Sequence, residues 1–332
     1  MKDRHWQRWW WKLAGLAAVF SFGCPVIGQA PKIAVTTFTY KQVDDLEIKL
    51  DVHRAADDHI RPVTVWIHGG ALINGGREGI GKAGRDLLKA GYCVVSIDYR
   101  LAPESDMPEI YSDLEDAFRW IRKHGREKFN GDVSKIAVLG GSAGGHLTLS
   151  AGFRVDPKPD VLVPFWGYGD LIGPWLSEPS PHPRHQSRVL TDAEMNALEN
   201  GPPVANARDR KGDGGAYYQT CRARGIWPVK VSGGLDPKKE PDKFFPFMAS
   251  KNVTPDYPPT LLIHGTDDTD VPHEQSEIMA KEFEKHGVSY RLISLKNGEH
   301  GLGGADPKEI EAAFAAVLPF IAKYVPPPEI PE

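Results

Sequence analysis

Short apolar runs rich in β-branched residues recur along this chain, each stopped by glycine or a polar turn and separated from the next by a helical stretch. They are "VTVWIHGG" (63–70), "YCVVSIDYR" (92–100), "KIAVLGG" (135–141), "DVLVPFWGYG" (160–169), "PTLLIHG" (259–265) and "SYRLISL" (289–295). Runs that are apolar throughout, not alternately, mark strands buried on both faces, as in parallel sheets sandwiched between helices. Between them, "EIYSDLEDAFRWIRKHG" (109–125) spaces Ile110, Leu114, Ala117, Phe118 and Ile121 as one helical face, with Gly125 as its stop. Helices are also expected near 83–91, 144–153, 272–286 and 307–323. Ahead of these, "TTFTYK" and "DLEIKLDVHRA" alternate as two antiparallel strands would. The expected fold class is therefore α/β, with a mostly parallel central sheet flanked by helices. The rhythm fails between about 170 and 254. That stretch is rich in Pro, Gly, Trp and charge, and one helix, "LTDAEMNALENG", is legible in it. It reads as a lid or cap-like insertion after the sixth strand.

The first thirty residues differ from the rest. Lys2, Arg4, Arg8 and Lys12 precede the uncharged run "LAGLAAVFSFG" and then the small residues Gly28 and Ala30. This is the pattern of a signal peptide over 1–30, which assigns 31–332 to the folded domain and the protein to an exported location. Cys24 in "SFGC" offers lipid anchoring as an alternative. The apolar run is shorter than the roughly 20 residues a bilayer span needs, so no stable membrane span is expected. Beyond the leader the chain carries 36 Lys and Arg against 43 Asp and Glu, a net of −7. That excess argues against nucleic acid as a partner. The chain has three cysteines, Cys24, Cys93 and Cys221. None is spaced for zinc, and a Cys93–Cys221 disulfide stays open.

"LGGSAGGH" (139–146) joins an expected strand to an expected helix and holds Gly140-Gly141-Ser142-Ala143-Gly144, a G-x-S-x-G pattern. In that context it is a nucleophile elbow: a turn so sharp that only small neighbours fit, lifting the serine hydroxyl clear of the backbone. The amide of Ala143 then faces a substrate oxygen. "HGGA" (His68–Ala71) follows an early strand. There Gly70 and Ala71 are the remaining candidate oxyanion donors, with His68 and Gly69 shaping the loop. A serine needs a base, and "NGEHGLGG" places His300 among glycines after the last strand. "HGTDDTDVP" places Asp267, Asp268 and Asp270 after the strand before it, and composition does not choose among them. The order Ser, Asp, His suits one serine-hydrolase topology. His146 reads as packing or hydrogen bonding within its helix. His182 and His185 in "SPHPRH" read as a solvated loop and not a metal site. Asp98, Arg100 and Glu104 read as structural tethers.

These residues resemble the α/β-hydrolase superfamily, in particular its esterase/lipase group of hormone-sensitive-lipase-like carboxylesterases and bacterial acetyl-xylan and feruloyl esterases. "HGG", "YRLAPE" (99–104), "GGSAGGH" and "HGTDDTDVP" carry the resemblance, which extends over roughly residues 36–324. It implies the α/β-hydrolase fold. The family's G-x-x-D-x-x-V-P pattern falls on Gly265, Asp268, Val271 and Pro272, which selects Asp268 as the acid. The usual "HGGG" and "GDSAGG" are here "HGGA" and "GGSAGG", and the helical cap ahead of the first strands is expected to be absent. Both departures point toward the secreted acetyl-xylan/feruloyl branch. Trp166, Tyr168, Trp175, Tyr217, Tyr218 and Trp227 are candidates for a pocket lining or for packing the insertion onto the sheet.

The expectation is a serine hydrolase of carboxylic esters, acting on a small-molecule or carbohydrate-linked substrate without metal or cofactor. Ser142 is the nucleophile, His300 the base and Asp268 its orienter. An exopeptidase of the prolyl-oligopeptidase type is the runner-up, disfavoured because some five residues between leader and first strand leave no space for its extra domain. A non-catalytic binding protein on the same scaffold is the third reading.

Overall fold

The computed structural model describes residues 32–328, and the leader, its cleavage point and the Cys24 lipid site lie outside them. Eight strands form one sheet in the order β1-β2-β4-β3-β5-β6-β7-β8. They are β1 (Ile33–Val43), β2 (Leu46–Ala55), β3 (Arg61–Ile67), β4 (Cys93–Ile97), β5 (Gly131–Gly141), β6 (Val161–Phe165), β7 (Thr260–Gly265) and β8 (Tyr290–Leu295). The first two pair antiparallel with each other, β2 runs antiparallel to β4, and every later pairing is parallel. The even alternation of side chains explains why the central strands read as solid apolar runs. Val63, Val65 and Ile67 of β3 join one core with Cys93, Val95 and Ile97 of β4 and with Ile136 and Val138 of β5. Val94, Ala137 and Leu139 face the other way into a second core. Every residue of β4, β6 and β7 is buried.

Helices α1 (Gly81–Lys89), α2 (Met107–Phe129) and α3 (Ala143–Arg154) connect the strands up to β6. Asp106 caps α2 with a reciprocal bond to Glu109, satisfying backbone amides that the first helical turn leaves open. Gly125 does not end this helix, which runs on to Phe129 and stops at left-handed Asn130. The glycine is there for packing, since a Cβ at 125 would lie 2.7 Å from Val133 Cγ1 and 2.9 Å from Phe129 Cζ.

The segment between β6 and β7 is more regular than its sequence suggests. It holds α4 (Pro174–Ser177), α5 (Asp192–Glu199), α6 (Gly214–Arg224) and α7 (Trp227–Val231), with short 3-10 turns. Tyr217, Trp227, Phe244 and Leu176 sink into the first core, so this segment extends the core over one face of the sheet. Its periodicity is hidden because these helices are short and their apolar residues answer to several neighbours at once.

After β7 come α8 (Glu274–His286), α9 (Pro307–Ala315) and α10 (Val317–Ala322). The expected single helix over 307–323 breaks at Ala316, because Pro319 has no N–H to give to the carbonyl of residue 315. The second core packs α1, α9 and α10 against the sheet. Cys93 and Cys221 are separate buried free thiols, and burial pushes both up to about 12. Among the described residues no helix is long and apolar enough to cross a membrane.

Candidate active site

Ser142 sits between the end of β5 and the first turn of α3 with φ 58° and ψ −122°. A non-glycine residue held there stores about 1–3 kcal/mol, so the surroundings must enforce it. They do so by close approach. A Cβ on Gly144 would fall 2.1 Å from the Ile67 carbonyl oxygen, and one on Gly140 would fall 2.4 Å from the Gly144 carbonyl oxygen. The Ser142 amide donates to the Phe165 carbonyl at 3.0 Å, and the Ser142 carbonyl accepts from His146 at 2.9 Å. Backbone is therefore fixed on both sides of the serine while its hydroxyl makes no capping bond to the helix.

The loops after β7 and β8 bring their groups to that hydroxyl. His300 Nε2 lies 3.1 Å from Ser142 Oγ, and His300 Nδ1 lies 2.8 Å from Asp268 Oδ2. A carboxylate only accepts, so Nδ1 carries the proton and the Nε2 lone pair faces the serine. Asp268 is buried, and its Oδ1 accepts the amides of Asp270 and Val271 at 2.9 Å each. Burial raises its pKa, but the bonds from His264, His300 and the Val271 amide outweigh burial and hold it at about 2. Of the other two aspartates, Asp267 is exposed and bonds Thr266. Asp270 points its Oδ2 toward the opposite ring nitrogen, 3.7 Å from His300 Nε2.

The "HGGA" loop turns through three consecutive left-handed residues, Gly70 at φ 115°, Ala71 at 60° and Leu72 at 61°. Ile73 and Asn74 amides close the turn on the Gly70 carbonyl. Gly69 presses against the elbow, since a Cβ there would meet the Gly141 carbonyl oxygen at 2.7 Å. Among the described residues the amides of Gly70, Ala71 and Ala143 find no acceptor within the protein. Free amides beside the elbow are the donor type that a developing oxyanion would require. His68 is buried and stacked on Tyr99, with ring centroids 4.2 Å apart, and its Nδ1 bonds the Gly69 carbonyl.

A cleft of about 280 Å³ opens beside Ser142, walled by Trp66, Phe165, Trp166 and Phe314 with Lys82 at its rim. Of the aromatic candidates named from sequence, Trp166 alone lines this cleft. Tyr168, Tyr217 and Trp227 are core, and Trp175 stacks under the Arg222 guanidinium.

Two expectations are corrected here. His185 is not in a solvated loop. It is buried, with Nε2 2.9 Å from Asp270 Oδ1 and Nδ1 2.7 Å from Ser180 Oγ. His146 bonds across elements and not within its helix: Nδ1 donates to the Tyr168 carbonyl at 2.8 Å, and Nε2 meets the Tyr111 hydroxyl. Asp98 pairs with Arg77, Arg100 with Asp113 and Glu109, and Glu104 with buried Arg210, as structural tethers do. Sequence reading also missed what the β6–β7 segment gives the site. Arg184 bonds Thr269 and Glu299, and Glu299 accepts the His300 amide. Tyr218 and Arg222, one helical turn apart on α6, both reach Asp270 Oδ1. No local signal announces those partners, which lie 48 to 115 residues away in sequence. Among the described residues no three ligand side chains converge to hold a metal.

Comparison with known proteins bears on the family and the fold. Residues 50–160 match the family model described as BD-FAE, and residues 216–327 match the prolyl oligopeptidase family. The chain is 30% identical over 285 residues to the esterase LipC of Mycobacterium tuberculosis, covering 84% of this chain and 62% of that one. It is 27% identical over 313 residues to a non-reducing polyketide synthase of Penicillium brevicompactum, covering 81% of this chain and only 14% of the synthase. The chain thus spans a small part of the synthase it matches and under two thirds of the esterase. Among solved structures, a truncated carbohydrate esterase from gut microbiota superposes with a TM-score of 0.61 at 22% identity, over 87% of this chain and 98% of that one. At that identity the likeness is one of fold.

Proposed function

Because this chain belongs to the α/β-hydrolase superfamily and groups with its esterases, we propose that it is a serine-dependent hydrolase of carboxylic esters. The observation that carries the reading is the unbroken relay from Asp268 through His300 to Ser142, at 2.8 and 3.1 Å. In this reading His300 Nε2 takes the Ser142 proton as Oγ attacks the ester carbonyl, and Asp268 holds the imidazole and then its cation. The amides of Gly70, Ala71 and Ala143 receive the oxyanion, each worth roughly 3–4 kcal/mol of barrier in comparable sites. His300 next protonates the leaving alcohol, an acyl-serine remains, and water activated by the same nitrogen releases the acid. No step asks for a metal or cofactor. The modest aromatic cleft favours short acyl or sugar-linked acetyl and feruloyl esters, and the leader favours an exported enzyme.

The match of residues 216–327 to the prolyl oligopeptidase family supports a second reading, cleavage of prolyl amides. One experiment addresses both. Wild type and Ser142→Ala are compared on p-nitrophenyl acetate and on a prolyl-dipeptide anilide, with fluorophosphonate labelling of Ser142. The expected result is fast ester turnover, slow or no amide turnover, and loss of both turnover and label in the variant. Unchanged turnover in Ser142→Ala would falsify the assignment, and faster amide cleavage would transfer it to the second reading.

A further inference from the structure

Among the described residues, Asp270 is the one charged group facing the reacting nitrogen that the mechanism above does not use. It is 9% exposed, and its two oxygens are treated differently. Oδ1 accepts from His185 Nε2 at 2.9 Å, the Tyr218 hydroxyl at 2.6 Å and Arg222 Nη1 at 2.9 Å. Oδ2 accepts no hydrogen bond among the described residues and lies 3.7 Å from His300 Nε2. That distance is too long for a hydrogen bond to the ring, which already serves Ser142. The carboxylate is also held ionised. Burial opposes its charge, but the His185 bond, the His300 and Arg222 charges and the Tyr218 hydroxyl keep its pKa well below the usual carboxylate range. With no donor from the described residues, the ionised Oδ2 is left to water, and a substrate that displaces that water must offer a donor in return.

Position decides what that donor is. To receive its proton, the leaving oxygen of the ester must sit within roughly 2.6–3.2 Å of Nε2. The free Asp270 oxygen borders the same nitrogen. A hydroxyl one carbon along from the ester-bearing carbon of the alcohol can therefore reach it. The cleft beside Ser142, with Trp66, Phe165, Trp166 and Phe314, is walled by apolar rings and holds no carboxylate, so it suits the acyl side.

Resting on the ester-hydrolase reading, we infer that Asp270 is a specificity-determining residue whose Oδ2 accepts a hydroxyl adjacent to the ester-bearing carbon, so that the site selects monoesters of vicinal diols. His185, Tyr218 and Arg222 are positioning residues, which hold the carboxylate so that its second oxygen faces the substrate. A substrate lacking that hydroxyl desolvates Oδ2 and gives nothing back.

The test compares kcat/KM for 2-hydroxyethyl acetate and 2-methoxyethyl acetate, which differ in that one donor, with acetate release followed by titration. Wild type is expected to prefer the hydroxyl ester by about 10- to 100-fold, the range for a hydrogen bond to a charged group. Asp270→Asn keeps an oxygen for the three donors but turns an NH₂ toward the substrate. Its ratio is expected to fall to one or to invert. A wild-type ratio near one overturns the inference, as does a ratio unchanged in Asp270→Asn while both rates fall together. Should that variant fail to label with fluorophosphonate, the wild-type ratio alone remains decisive. Failure of wild type to turn over p-nitrophenyl acetate strikes the hydrolase reading itself, and the inference falls with it.

Discussion

Acid should loosen this fold through two neutral histidines, and replacing one of them should change how steeply. Burial lowers His146 and His68 from an ordinary 6.5 to about 4 each. His146 donates to the Tyr168 carbonyl and stacks on that ring, with centroids 4.6 Å apart, while its other nitrogen meets a tyrosine hydroxyl that can donate to it. Burial alone disfavours a second ring proton, since the Tyr111 hydroxyl also reaches the Phe247 carbonyl at 2.8 Å and is free to accept from the ring. Between pH 6.5 and 4 the unfolded chain binds a proton at each of these positions that the folded chain refuses. Stability is therefore full above pH 6.5 and lost as pH falls, by about 1.4 kcal/mol per pH unit for each histidine and about 3 kcal/mol each in all. Asp98 works the other way below pH 6, because burial pushes it up to about 6 despite its bonds to Arg77. The clean measurement is therefore a difference. Urea unfolding of wild type and His146→Asn is followed at pH 7.5, 6, 5 and 4.5. Asparagine keeps a donor toward the Tyr168 carbonyl but loses ring packing, and should cost about 2–3 kcal/mol at pH 7.5. Wild-type stability should then fall more steeply than the variant's by about 1.4 kcal/mol per pH unit, so that the two curves meet between about pH 5 and about pH 4. Parallel curves would mean that residue 146 titrates alike in both states, and the argument from its burial would be refuted.

Three further changes follow from packing and pairing. Gly144→Ala places a Cβ into the carbonyls of Ile67 and His68, so it should cost about 3 kcal/mol or more and abolish labelling of Ser142. Gly79→Ala, where a Cβ meets nothing within 4 Å, should stay within about 0.5 kcal/mol by thermal unfolding, and equal melts for the two variants would contradict the packing account of the elbow. Glu104→Ala strands the Arg210 guanidinium, which now forks onto both Glu104 oxygens at 2.7 and 2.6 Å with both side chains buried. It should lower stability by about 3–5 kcal/mol in urea, and a loss under about 1 kcal/mol would show that the pair is not holding the β6–β7 segment to the loop after β4.

What could be read in advance divides along a physical line. The parallel strands were legible because a sheet covered on both faces leaves no exposed position in β4, β6 or β7, so apolar residues dominate them. The elbow was legible because only glycine fits where Gly140 and Gly144 meet carbonyl oxygens. In both cases the constraint falls on consecutive residues. The aspartates of "HGTDDTDVP" show where local reading stops. Their roles depend on which way each faces: Asp267 outward, Asp268 to His300 Nδ1, Asp270 toward Nε2. No pattern of charges in a loop encodes that direction, and the choice of Asp268 came from resemblance. His185 fails for the same reason more strongly, since its partner is 85 residues away.

The β6–β7 segment gains a role from this that its irregular sequence conceals. Arg184 grips Thr269 and Glu299, so it ties the acid-bearing loop to the base-bearing loop. From the same segment, His185, Tyr218 and Arg222 fix Asp270. The imidazole of His300 therefore lies between two carboxylates, and geometry assigns them different work. At 2.8 Å Asp268 takes the Nδ1 proton and leaves Nε2 free to act on Ser142. At 3.7 Å Asp270 cannot compete for the ring, because three donors hold its carboxylate back. Release those donors and Asp270 could swing onto Nε2 once it has taken the serine proton, holding that proton from the leaving alcohol. The segment thus keeps the second carboxylate close enough to meet a substrate and too far to disarm the histidine.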